Sequence, residues 1–146
     1  MSLDSSPKPK SVIRILIAED FCAFRRLICS ILQKRQDLQV ICEVSDGLKA
    51  VRKAEELKPD LILLDIGLPT LNGLQAARQI CKLAPESKIV FVSQESSVDL
   101  VQEALRQGAH GYVVKTKLES DLLAAVEAVL EGRRFVSSGL ITEGPG

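Results

Sequence analysis

The sequence predicts an α/β domain: a five-stranded parallel sheet, doubly wound, with helices on both faces. Three observations carry that prediction. Short β-rich runs alternate five times with stretches of helical periodicity, and strand-then-helix repeats build parallel sheets covered on both sides. The third run, "LILL" at 61–64, is apolar at every position, as a strand buried on both faces must be. Right-handed crossovers leave few topologies for five such units, and the strand order 2-1-3-4-5 is the simplest.

The elements follow in order. "VIRILIA" (12–18) is the first strand, and the helix after it, "FRRLICSILQKR", spaces Phe24, Leu27, Ile28, Ile31 and Leu32 three and four apart, one face of a helix. "LQVICEV" (38–44) is the second strand. Ser45 or Asp46 is placed to cap the next helix, "GLKAVRKAEEL", whose stripe is Leu48, Val51, Ala54 and Leu57. After "LILL" the third helix, "LQAARQICKL", is expected to begin near Thr70. "KIVFV" (88–92) leads into "VDLVQEALRQG", and "GYVV" (111–114) into "ESDLLAAVEAVLEG". Gly108 and Gly132 fall where helices should stop, and Pro59 and Pro85 stand in the connections. Residues 1–11 are polar and lack a hydrophobic segment of the secretory kind, so they read as a disordered lead-in. Residues 12–132 form the folded domain, and 133–146 read as a tail or the start of a linker.

Composition narrows the function. Apolar residues make up 46% and charged residues 26% of 146, enough for a full core. Net charge is zero and the pI is about 6.6, so no field favours nucleic acid or an acidic membrane. The longest apolar runs are far shorter than a membrane span, and a cytoplasmic location is expected. Cysteines stand at 22, 29, 42 and 81 without a Cys-x-x-Cys pair, and His110 is the only histidine, which argues against zinc. Cys22 and Cys29 lie seven apart on a helix, about 10 Å of rise and too far for a disulfide. Buried, reduced cysteines are expected.

In doubly wound sheets ligands bind at the carboxyl ends of the strands. Strand one ends in Glu19–Asp20, strand three in Asp65, strand four in Ser93 and strand five in Lys115. In the 2-1-3-4-5 order these four strands are neighbours. Each residue alone has an ordinary explanation: the acids and Ser93 as helix caps, Lys115 as a solvated charge. Asp65 is harder to dismiss, because it stands too far from the next helix to cap it. Four such residues on adjacent strands argue for a site. Crowded acids need a cation at neutral pH, and oxygen ligands without Cys or His select a hard ion such as magnesium. An aspartate can attack phosphorus and form an acyl phosphate, with metal and lysine neutralising the phosphoryl oxygens. Asp65 is then a phosphoacceptor, its burial offset by its neighbours.

"ILIAED", "PDLILLDIGLPTLNG", "IVFVS" and "GAHGYVVKT" resemble, in order and spacing, the motifs of the receiver domain of bacterial two-component response regulators. The resemblance covers about residues 12–132. It implies a flavodoxin-like fold and phosphoryl transfer from a sensor histidine kinase to Asp65. It implies Mg2+ or Mn2+ held by Glu19, Asp20, Asp65 and the Gly67 carbonyl. Ser93 becomes the switch hydroxyl, Lys115 the phosphate partner, and Tyr112 the aromatic that turns inward on activation. The face of helix four, strand five and helix five then serves partner binding or a homodimer. "ALRQGAHGYVVK" and "EAVLEGRRFVSSGL" resemble the LuxR-like class, which usually carries a helix-turn-helix DNA-binding domain after the receiver. Contact with DNA is then expected only through an output domain absent from this chain, and no membrane partner is expected. The linker-like tail favours a truncated chain over a stand-alone receiver.

Some positions depart from the family pattern. Thr116 follows Lys115 where many relatives have proline, so no cis bond is expected there. Gln94–Glu95 follow Ser93 where a small residue is usual, and Gly67–Leu68 are also less usual. Gln94 and Glu95 keep a second reading open, a degenerate receiver that serves as an interaction module without being phosphorylated. A haloacid-dehalogenase-like phosphatase would need an acid where Gly67 stands. A flavodoxin would need a glycine- and hydroxyl-rich phosphate loop where "EDFCAF" stands.

Overall fold

The computed structural model describes residues 12–137. Five helices and six strands alternate: β1 (Ile13–Ala18), α1 (Cys22–Leu32), β2 (Leu38–Val44), α2 (Gly47–Leu57), β3 (Leu61–Asp65), α3 (Gly73–Leu83), β4 (Lys88–Ser93), α4 (Val98–Arg106), β5 (Gly111–Val114), α5 (Leu118–Leu130) and β6 (Phe135–Val136). One 3-10 turn, Lys115–Lys117, joins β5 to α5. The sheet runs β2-β1-β3-β4-β5-β6 with every pairing parallel. This is the expected order with a sixth strand added at the β5 edge.

Alternation along β3 shows why "LILL" is apolar throughout. Leu61 and Leu63 join Ile15, Ile17, Val90 and Val92 beneath α1 and α5. Ile62 and Leu64 join Leu16 and Phe91 on the opposite face, beneath α2, α3 and α4. A strand with a period of two buries both sets only when both faces are covered.

The helix ends follow local chemistry. Asp46, rather than Ser45, caps α2, its side chain accepting from Lys49 N. Gly108 and Gly132 take φ of 103° and 87° after α4 and α5, and the next amide closes each helix by reaching back to Ala104 O and Ala128 O. The third helix begins at Gly73 behind an Asn72 cap, not near Thr70. Thr70 holds φ 69°, and Leu71 N donates to Pro69 O at 2.7 Å. That tight turn is incompatible with a helix start.

The segment after α5 also differs from the expected tail. Phe135–Val136 pair with Gly111 and Tyr112, and Ser137, 1% exposed, accepts from Val114 N through its hydroxyl. β5 would otherwise present unpaired backbone groups at the edge. The four cysteines are free, with Cys22 exposed and the others half-buried. Full burial therefore fails, most clearly for Cys22, which lies on the open first turn of α1. Among the described residues no helix is long and apolar enough to cross a membrane. The lead-in 1–11 and residues 138–146 of the tail lie outside the described residues.

Candidate functional site at the carboxyl rim of the sheet

Four strands deliver their last residues to one cleft of about 300 Å³. β1 supplies Glu19 and Asp20, β3 supplies Asp65 and then Gly67, β4 supplies Ser93, and β5 supplies Lys115; all line the cleft. Tyr112 does not. It lies behind the rim, fully buried, its hydroxyl donating to Glu95 O at 2.8 Å and its ring 6.4 Å from that of Phe91. The ring is thus turned inward in this structure.

The charges are tightly placed. Glu19 is 1% and Asp65 7% exposed. Lys115 Nζ lies 2.8 Å from Glu19 Oε1 and 3.4 Å from Asp65 Oδ2. Gly67 N donates to Asp65 Oδ1 at 3.2 Å. Phe21 N donates to Glu19 Oε2 at 3.0 Å, so this acid holds the loop before α1 without capping the helix, whose N-cap is Phe21. Burial pushes the Glu19 carboxyl above its ordinary range, and the hydrogen bond from Lys115 only partly opposes this. Ser93 Oγ accepts from Glu95 N at 3.0 Å, turning Gln94 and Glu95 over the cleft mouth. Ser93 does not cap α4, because Ser97 does.

The donor set fits a hard cation. Oxygens of Glu19, Asp20 and Asp65 lie within 4.8 Å of one another, with no nitrogen or sulfur donor among them. Glu19 Oε1 is buried, and the Lys115 ammonium 2.8 Å away is its partner among the described side chains. Three carboxylates around one ammonium leave negative charge in excess, which a divalent ion would balance.

Three features of the site were not singled out in the sequence. The Phe24 ring lies under Lys115 Nζ, 4.4 Å from centroid to nitrogen. In the sequence Phe24 is one member of an ordinary apolar stripe. Gly47 and Gly73 lie where helices α2 and α3 meet the loop after β3. A Cβ on Gly73 would fall 2.2 Å from Asp65 O, and one on Gly47 1.7 Å from Leu71 O. The only sequence signal for this was a glycine directly after each capping residue.

Comparison with known families gives the class. The model of the response regulator receiver domain matches residues 15–127, and the chain belongs to that family. Its relatives narrow the class to regulators of the LuxR and NarL type. The chain is 35% identical over 121 residues to the transcriptional regulatory protein LnrK of Bacillus subtilis, covering 83% of this chain and 55% of that protein. It is 33% identical to the oxygen regulatory protein NreC of Staphylococcus aureus, covering 89% and 60%. The chain therefore spans little more than half the length of these relatives. Among solved structures, a LuxR-family two-component response regulator from Aurantimonas sp. SI85-9A1 superposes with a TM-score of 0.85 at 29% identity, covering 89% of this chain and 93% of that one.

Proposed function

We propose that this chain accepts a phosphoryl group on Asp65 from a sensor histidine kinase, with Mg2+ or Mn2+, and passes the change to a partner-binding or dimerisation face. The carrying observation is the buried lysine set between two carboxylates at the strand ends, 2.8 and 3.4 Å away. The P–N bond of a donor phosphohistidine breaks as an Asp65 oxygen bonds phosphorus, and the leaving histidine nitrogen keeps the electron pair. A metal ion held by Glu19, Asp20, Asp65 and the Gly67 carbonyl would neutralise charge on the phosphoryl oxygens. Lys115 swings from Glu19 to meet the same oxygens, and Ser93 donates its hydroxyl to one of them.

Tyr112, packed behind Ser93 and bonded to the Glu95 carbonyl, links the rim to the face of α4, β5 and α5. Receiver domain 12–132 would signal through that face or another to a partner or a second copy. Control of transcription would then run through a DNA-binding output domain beyond this chain, in the cytoplasm. The regulator names of the relatives support that reading.

Intact mass after incubation with magnesium and a small acyl phosphate tests the central step. The expected result is one phosphoryl mass gain, lost in Asp65→Asn and lost without the metal. No gain in the folded parent, with a known receiver labelled in parallel, would instead favour the unphosphorylated interaction module. Gln94 and Glu95 at the cleft mouth would then be the residues to examine.

A further inference from the structure

We propose that Phe24 is a positioning residue for Lys115: its ring face holds the ammonium over the acid rim and so sets where the charge that meets a phosphoryl group stands. This rests on the phosphoacceptor reading of Asp65.

Lys115 has a side chain only 6% exposed, so water does little to solvate its charge. An ammonium carries three N–H donors. Glu19 Oε1 at 2.8 Å and Asp65 Oδ2 at 3.4 Å take two directions, and the Phe24 ring at 4.4 Å takes a third. A ring face attracts a cation through its quadrupole, more strongly when the cation is desolvated. It does so without the directional lone pair of an oxygen. The ammonium can therefore slide across the face from one carboxylate toward the other while staying held.

Without the ring, Lys115 would settle onto Glu19, its nearer partner, and leave Asp65 less well served. The ring itself is partly buried. Phe24 packs against the α1–α5 side of the core, and the Phe21 ring lies 5.9 Å away at 39°. If Phe24 served only as packing, leucine would fill the role as well.

The test uses the full chain with 13C-labelled lysine, as the parent, Phe24→Leu and Phe24→Tyr. Ring current should move the Lys115 Hε signals upfield in the parent and in Phe24→Tyr, and the shift should vanish in Phe24→Leu. Phosphoryl uptake from a small acyl phosphate with magnesium should slow about three- to tenfold in Phe24→Leu and return to within about twofold in Phe24→Tyr. Absence of the ring-current shift in the parent overturns the proposal, and so does parental uptake in Phe24→Leu.

If the parent takes up no phosphoryl group, the Asp65 reading fails separately. Positioning is then decided by titrating Mg2+ while following the Lys115 signals, because ion and ammonium compete for Glu19. A weaker Mg2+ midpoint in Phe24→Leu supports the role, and an unchanged one overturns it.

Discussion

Single residues at this site are defined by what surrounds them rather than by what they are. Lys115 would be a solvated charge on most surfaces, yet here it is 7% exposed between two acids and a ring. Removing one partner of such a group costs far more than losing a surface pair, because it leaves a buried charge uncompensated. Tyr112 shows the same dependence. It is the only tyrosine, and the chain has no tryptophan, so phenolate absorbance reports this ring alone. Burial pushes its hydroxyl above the usual tyrosine range, with the bond to Ser93 opposing and the charge of Glu95 adding to the rise. An ultraviolet titration should therefore show a midpoint above 10. A midpoint at or below the ordinary value would mean that the ring stands outward in solution. The linkage has a definite sign: a tyrosine whose folded pKa is raised costs stability as pH climbs past its unfolded value.

At the scale of elements, the loop between β3 and α3 matters most, because it follows Asp65 directly and carries Gly67 to the cleft. Two helix starts hold it. Gly73 N donates to Ile66 O at 2.7 Å, and Gly47 N to Pro69 O at 3.2 Å. Both glycines pack so closely that a methyl group would strike backbone. Gly73→Ala should cost about 2–3 kcal/mol by overpacking, read as a lower denaturant midpoint with unchanged slope. Gly67, with no atom within 4 Å of a built Cβ, is the matched control, and Gly67→Ala should stay within about 0.5 kcal/mol of the parent. Equal midpoints for the two variants would mean that the loop yields and the clamp is absent. At the other side of the sheet, β6 takes the edge of β5. A dimer through the face of α4, β5 and α5 would have to use helix surfaces or displace that strand.

For the whole molecule, the sole histidine gives stability a pH dependence that can be isolated. His110 Nδ1 accepts from Ile89 N at 3.1 Å, so protonation there breaks a bond between β4 and the loop before β5. Burial first, then the charges of Lys88 and Arg134, lower its pKa below 6.5. The unfolded chain then binds more protons in that window, so stability rises with pH and is lost as pH falls below the unfolded value. Glu19 has the opposite sign, since its raised carboxyl favours the folded state at acid pH. Subtracting the stability curve of His110→Gln from that of the parent removes the Glu19 part. The difference should climb between about pH 5 and 6.5; a flat difference would show that His110 titrates alike in both states.

Much of this was legible in the sequence. The alternation of strand and helix, the two-faced apolar character of "LILL" and the stop signals at Gly108 and Gly132 are local, and local pattern determines which surfaces must be buried. The rim was legible for the same reason: a residue that ends a strand stands at the sheet edge whatever else the chain does, so Glu19, Asp20, Asp65, Ser93 and Lys115 converge as soon as the strand order is known. Tertiary packing alone decided the rest. It set Phe24 under Lys115, turned Tyr112 inward onto the Glu95 carbonyl, drove Gly47 and Gly73 against the chain that leads on from Asp65 and drew Phe135–Val136 into the sheet. Those contacts join residues far apart in the chain, and their distances depend on how one helix seats against a strand it does not follow. Periodicity specifies the face that each element buries, but not which side chain on that face meets which partner.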